Sequence, residues 1–289
     1  MEERFNVTKK AGIYGIIGNI FLLLIKAIVG FASKSQAMIA DCINSGGDIF
    51  ASLMTFIGNK IASVPGDESH NFGHGKAEYI FSLFIAISMI IVSLKTIIDC
   101  FSTLFTGNTI IFSWWLIIVC IITIIIKLIL FFYTNIMYKK YGNILLQASV
   151  EDHRNDCIIT TFTLISILLS LKGIYWFDSI VGIGISAWIC KTGIEIFSES
   201  YNILMDISID EDTKDIILDL IHVYKEVKGI NEISSTPVGY QYIIFLTIAV
   251  DGNMTTFDSH KLADELEKNI SGLDKVYKSI VHVEPYFEN

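Results

Sequence analysis

Six apolar runs, at roughly 12–32, 36–62, 77–105, 110–137, 144–171 and 174–197, fill most of the first two hundred positions. An α-helix needs about 20 apolar residues to cross a ~30 Å hydrocarbon layer. In that layer only a helix or a closed barrel can satisfy its own backbone amides. Six runs of this length therefore predict a bundle of six transmembrane helices over 1–205. With 52% hydrophobic residues, a mean hydropathy of +0.56 and only three prolines, the chain lies outside the range of ordinary soluble domains. The N-terminal "MEERFNVTKK" is charged and no small-residue cleavage site follows it, so a secretory signal peptide is not expected.

Lysine and arginine set the expected orientation. Arg4, Lys9 and Lys10 precede the first run, Lys60 and Lys76 flank the second joint, and Lys139 and Lys140 sit in the fourth, against mainly Lys34 and Lys172 on the other side. Positive residues near spans stay cytoplasmic, which places both termini inside the cell. The formal net charge of −9 does not oppose this, because acids carry little weight in the rule. No nucleic-acid partner is expected.

From 206 onward the composition changes. The stretch "DEDTKDIILDLIHVYKEV" places Ile216, Ile217, Leu220, Ile221 and Tyr224 at helical spacing, with acids at its start where the helix dipole favours them. "GINEISS" and "YQYIIFLTIAV" read as strands, "DSHKLADELEKNI" as a helix capped by Asp258 or Ser259, and "VYKSIVHVEP" as a last strand. The order αββαβ predicts a ferredoxin-like cytoplasmic α/β domain over 206–289. The five cysteines all lie in apolar runs without C-x-x-C spacing and read as packing residues.

Inside the membrane runs sit groups that lipid does not tolerate. An Asp near the centre of a spanning helix costs on the order of 3 kcal/mol, so the second run, with Asp41, Asn44 and Asp48, needs compensation. Asn44 and Asp48 are four apart and share a helix face, as do Asp152 and Asp156 of the fifth run. At ~1.5 Å per residue, two antiparallel helices set Asn44 level with Asp156 and Asp48 level with Asp152. These levels make a four-ligand cation cage between the helices geometrically possible, with Asp41 as an entry route or a local cap. The alternative is pairing of single acids with Lys26 or Lys127, yet two cations do not readily neutralise so many acids.

Three motifs, "ADCINSGGDIFASL", "PGDESHNFGHGKAE" and "VHVEP", in this order and spacing, resemble the cation diffusion facilitator family of divalent-metal transporters, especially its manganese-type members. The resemblance covers essentially the whole chain. It implies a homodimer in the bilayer whose protomers move a divalent cation out of the cytoplasm in exchange for protons, with Asn44, Asp48, Asp152 and Asp156 as the transport site. Zinc-moving members commonly carry a His there; here Asp152 stands at the usual fifth-helix His position, and Asn44 where the second helix has His or Asp. An all-oxygen set suits hard ions such as Mn²⁺, whereas imidazole favours Zn²⁺. Manganese is thus the expected cargo, zinc and ferrous iron stay open, and His153 offers a nitrogen if the helix turns slightly. Carboxylates crowded together away from water are expected to hold protons that an entering cation displaces.

Asp67, His70 and His74 form a mixed nitrogen and oxygen set that, by resemblance, matches an accessory metal site, with Glu68 able to replace Asp67. Gly73 and Gly75 break the helix that an ordinary H-x-x-x-H zinc face needs. His260, His282 and Glu284 match positions that bind regulatory zinc in relatives and imply at most a weak C-terminal site. Lys76 and Asp206 match a pair that fastens bundle to tail in relatives. No enzymatic H-E-x-x-H or G-x-S-x-G element lies in a span, so neither catalysis nor a cofactor is expected. The competing class is a metal-sensing or assembly protein without flux. The expected location is a bacterial inner membrane.

Overall fold

The computed structural model describes residues 2–33, 36–106, 114–170 and 176–286. The side chains of some helical positions, Asp41 and Asn44 among them, lie outside the described residues. The chain divides into two compact units, one of residues 1–63 with 77–201 and one of residues 64–76 with 202–289.

The first unit is built from six long helices, α1 (Glu2–Ser33), α2 (Gln36–Ala62), α3 (Ala77–Thr106), α4 (Trp114–Tyr141), α5 (Ile144–Ser170) and α6 (Trp176–Leu204). Helix α1 begins ten residues before the expected start at 12, because its polar first turns are held inside the unit. Arg4 is buried and donates two hydrogen bonds to Glu78 on α3, at 2.8 and 2.7 Å, and Asn143 ahead of α5 donates to the same carboxylate at 3.0 Å. A buried pair of this kind fixes geometry more than it adds stability, since both charges must leave water. The motif ending "GHGKAE" thus ends on Glu78, the residue that joins α1, α3 and the start of α5.

Among the described residues, three helices are long and apolar enough to cross a membrane, over Glu3–Val29, Ala77–Ser102 and Trp114–Tyr141. The expectation of six such spans is corrected on this measure. Helices α2 and α5, at 27 residues each, are as long but carry polar residues that dilute their hydropathy, and α6, at 29 residues, has several positions outside the described residues. Those polar residues are turned inward. Ser52, Thr55 and Asn59 of α2 are buried, as are His153 and Asn155 of α5, while the outer surface carries Ile17, Phe21, Ile28, Ile98 and Phe132. A unit with apolar side chains outside and polar ones inside is ordered for lipid.

Small residues and amide bonds bring the helices close. A Cβ on Gly15 would lie 2.6 Å from Ser52 Oγ, and one on Gly58 would lie 2.6 Å from Phe81 Cβ. Close backbone approach at such positions is how helices pack where no hydrophobic effect separates them from lipid. Asn19 of α1 donates to the Asp48 carbonyl and to Ser52 Oγ, both at 3.0 Å, and Thr55 meets Ser149 of α5 at 3.0 Å. Helix α2 is therefore fixed against α1 at Asp48 and Ser52 and against α5 at Thr55.

The second unit contains α7 (Glu211–His222), β1 (Val227–Val238), β2 (Gln241–Asp251), α8 (Thr256–Ile270) and β3 (Val276–Tyr286), in the expected αββαβ order. Its three-stranded mixed sheet runs β1-β2-β3, with β1 antiparallel and β3 parallel to β2. Ile244, Leu246, Ile248 and Val250 alternate onto one face of β2 and meet Ile217 and Ile221 of α7 and Leu266 and Ile270 of α8. Two helices on one face of a sheet make a two-layer sandwich. Helix α8 starts earlier than expected, because Thr255 rather than Asp258 or Ser259 is its N-cap, its hydroxyl accepting from the Asp258 amide. Helix α7 ends at His222, and the rest of the expected helix turns and enters β1 at Val227.

Asp210 caps α7, accepting from the Thr213 amide at 3.1 Å, and its other oxygen accepts from Lys275 at 2.8 Å. The Lys275 bond is the main cause that lowers its carboxyl from 3.8 to about 2. A lowered folded-state value contributes stability above about pH 4 that is lost as pH falls toward 2. Replacing Asp210 with Ala is expected to destabilise the C-terminal unit by about 1 kcal/mol at pH 6. That deficit should shrink between pH 4 and 2, as read by calorimetry of the full-length protein.

Asp206 closes α6 in the left-handed region, at φ 57°. The Ile207 amide bonds the Asn202 carbonyl and the Asp206 amide bonds the Ile203 carbonyl, a helix end that usually places glycine at this position. Its carboxylate accepts from Lys76 at 2.8 Å and Thr236 at 2.9 Å, which holds it below the usual carboxylate range, the Lys76 bond being the larger cause.

Candidate metal centre

Three of the four expected transport-site residues converge within the helical unit. Asp48 of α2 and Asp152 and Asp156 of α5 line one cavity of about 60 Å³, together with Asn155 and with Ser93 of α3 and Ser186 of α6. The volume admits an ion with one or two waters. Asn44, the fourth expected ligand, has a side chain outside the described residues.

A residue weighed in the sequence only as an alternative partner occupies the centre of this arrangement. Lys127 of α4 is 1% exposed, and its ammonium donates to Asp48 Oδ2 at 3.0 Å and to Asp156 Oδ2. Helix rise sets Asp48 level with Asp152, and in the structure Lys127 links Asp48 to Asp156, one turn further along α5. The reason is reach, since a four-carbon stem from a third helix bridges carboxylates that helix rise alone does not pair. Lys26 of α1, the other lysine of the sequence argument, donates to Ser45 at 2.9 Å.

His153 is buried, with Nδ1 3.8 Å from Asp152 Oδ2. Asp152, His153 and Asp156 each offer a ligand atom within 4.8 Å of the others, so no shift of register is needed to bring the imidazole to the carboxylates. Asn155 was not among the expected ligands. The available signal was its spacing of three from Asp152, which puts both on one helix face.

The loop residues Asp67, His70 and His74 also come together, each offering a ligand atom within 4.8 Å of the others. Asp67 Oδ1 accepts the Ser69 and His70 amides at 2.9 and 2.6 Å. The His70 amide is the main cause that holds the Asp67 carboxyl below its usual range. The two imidazoles lie 4.5 Å apart, and His74 Nε2 is 3.8 Å from Asp67 Oδ2. Gly73, at φ 82°, supplies the turn that brings His74 back. Glu68 is outside this cluster.

The expected C-terminal set does not assemble in one chain. Among the described residues the α5 and loop groups are the two clusters of three or more possible ligands. His260 sits on α8 beside Asp264, in the helical layer, whereas His282 and Glu284 point to the other face of β3, where Asn231 donates to Glu284 at 2.6 Å. Alternation along β3 puts the sheet between them.

Comparison with protein families matches residues 12–205 to the cation efflux transmembrane domain and residues 209–286 to the cation efflux protein cytoplasmic domain. The chain belongs to the cation efflux family. Its relatives include the manganese efflux system proteins MneP and MneS of Bacillus subtilis. MneP is 27% identical over 99% of both chains and MneS 28% over 98% of both. The magnetosome protein MamB of a Magnetospira species is 27% identical over 90% of this chain and 89% of its own. This cation efflux protein thus pairs a membrane domain with a cytoplasmic one, and the carboxylate cavity lies within the family's transmembrane part.

Proposed function

We propose that this cation efflux protein is a secondary exporter that carries divalent metal ions, foremost Mn²⁺, out of the cytoplasm in exchange for protons. The observation that carries this reading is the convergence of Asp48, Asp152 and Asp156 on one cavity within the helical unit. In this reading all six long helices cross the bilayer, α2, α5 and α6 shielding their polar faces behind α1, α3 and α4. Both termini and the loop 64–76 then face the cytoplasm, in the inner membrane of a bacterium, consistent with the lysine and arginine distribution. The protein works as a homodimer, supported by the match of its C-terminal unit to the family's cytoplasmic domain.

Asn44, Asp48, Asp152 and Asp156 form the transport site. A divalent cation competes with the Lys127 ammonium for the Asp48 and Asp156 oxygens, because both need the same lone pairs. Lys127 reduces the charge of three ionised carboxylates from −3 to −2, which matches a divalent ion. Oxygen ligands and two manganese efflux relatives support Mn²⁺ as cargo. Asp67, His70 and His74 form an accessory cytoplasmic metal site, and the Lys76–Asp206 pair secures the loop to the tail.

A second reading, zinc or ferrous iron as cargo, is favoured by His153, whose imidazole adjoins Asp152 and Asp156. Flux of Mn²⁺, Zn²⁺, Fe²⁺ and Cd²⁺ into sealed proteoliposomes, each with and without a pH gradient, separates the two. Manganese flux that grows with an opposing proton gradient is expected. Zinc flux without manganese flux would move the selectivity to the second reading, and binding without any flux would leave a metal sensor.

A further inference from the structure

We infer that Asn155 is an additional ligand of the transported cation, its side-chain carbonyl adding a neutral oxygen to the carboxylates; the inference rests on the transport site proposed above.

Asn155 lies three residues after Asp152 and one before Asp156, on the face of α5 that lines the carboxylate cavity. It is 4% exposed, and neither its Oδ1 nor its Nδ2 meets a partner. An asparagine inside a helix bundle ordinarily bonds across to a neighbouring helix, as Asn19 and Asn59 do here. Buried amides without partners are rare because water would otherwise solvate both ends. An unpartnered amide facing three carboxylates is suited to one occupant class, a cation with its water. The carbonyl binds the ion or its water, and the NH₂ group donates to a carboxylate oxygen that the ion leaves unused.

The ligand count gives this residue a role in selectivity. A hard ion that prefers six oxygens needs more donors than the carboxylates supply one by one, whereas Zn²⁺ is satisfied by four ligands in a tetrahedron. Asn155 should therefore matter more for Mn²⁺ than for Zn²⁺. A residue that only supported packing would affect both metals alike.

The test is equilibrium binding of Mn²⁺ and of Zn²⁺ to full-length purified protein and to Asn155→Ala, Asn155→Ser and Asn155→Asp. Loss of Asn155 is expected to weaken Mn²⁺ by about 10- to 100-fold, at least the loss seen when a group supporting a metal's ligands is removed. Zinc affinity should change less than about 3-fold, and Asn155→Asp should retain Mn²⁺ binding. Unchanged Mn²⁺ affinity in the alanine or serine variant, or equal loss of both metals in whichever of the two folds, overturns the inference. Asp156→Ala serves as the control. If that variant binds both metals as tightly as the unaltered protein, the transport-site reading itself fails, whatever Asn155 does.

Discussion

Replacing Asp152 with alanine is expected to abolish Mn²⁺ transport while leaving the fold intact. Asp152 faces the cavity but makes no bond to Lys127, so its removal takes an oxygen from the ion without freeing the buried ammonium. A desolvated charged partner lost from a buried site costs roughly 2–5 kcal/mol of binding, or about 30- to several-thousand-fold in affinity. Asp156→Ala should lose transport to the same degree but also lower thermal stability, because it leaves Lys127 with Asp48 alone. Manganese flux into proteoliposomes, read beside the melting temperature of each variant, checks both statements. Unimpaired flux in Asp152→Ala would remove Asp152 from the site.

Replacing Lys127 with methionine should destabilise the protein and yet tighten its hold on metal. Lys127 is held by two carboxylates inside the bundle, and removing one side of a buried ion pair typically costs about 3–5 kcal/mol. The same change removes the cation that competes with Mn²⁺. Added Mn²⁺ should therefore raise the melting temperature of Lys127→Met more than that of the unaltered protein, since ligand stabilisation grows with affinity. Turnover should fall, because an ion held without a competitor leaves slowly. Equal metal-induced increments would mean that ammonium and metal do not share the oxygens. Lys127→Arg keeps the charge and separates its loss from a loss of packing.

Much of this was legible in the amino-acid order because periodicity carries it. The i, i+4 spacing put Asp152 and Asp156 on one face, and alternation in β2 located the core of the C-terminal unit. What escaped depends on distance between elements. Nothing in the sequence near Lys127 says that α4 packs where its stem reaches Asp48 and Asp156 together. Arg4 reads as a cytoplasmic anchor until Glu78 is found beside it, 74 positions away. His260, His282 and Glu284 form one set by resemblance to relatives, yet helix and strand put the sheet between them. Hydropathy undervalued α2 and α5 because the acids and amides they turn inward are those that make a helix look unsuited to lipid. Asn155 was readable by its spacing, and what distinguishes it is the lack of any protein partner, which only the packed structure reveals.

The most direct test is to locate the ion. Anomalous scattering at the manganese edge, from crystals of the protein grown with Mn²⁺, should place one peak among the carboxylates of Asp48, Asp152 and Asp156, with Lys127 Nζ withdrawn from Asp48. A peak confined to Asp67, His70 and His74, with the Lys127 bridge intact and the cavity without metal, would contradict the account.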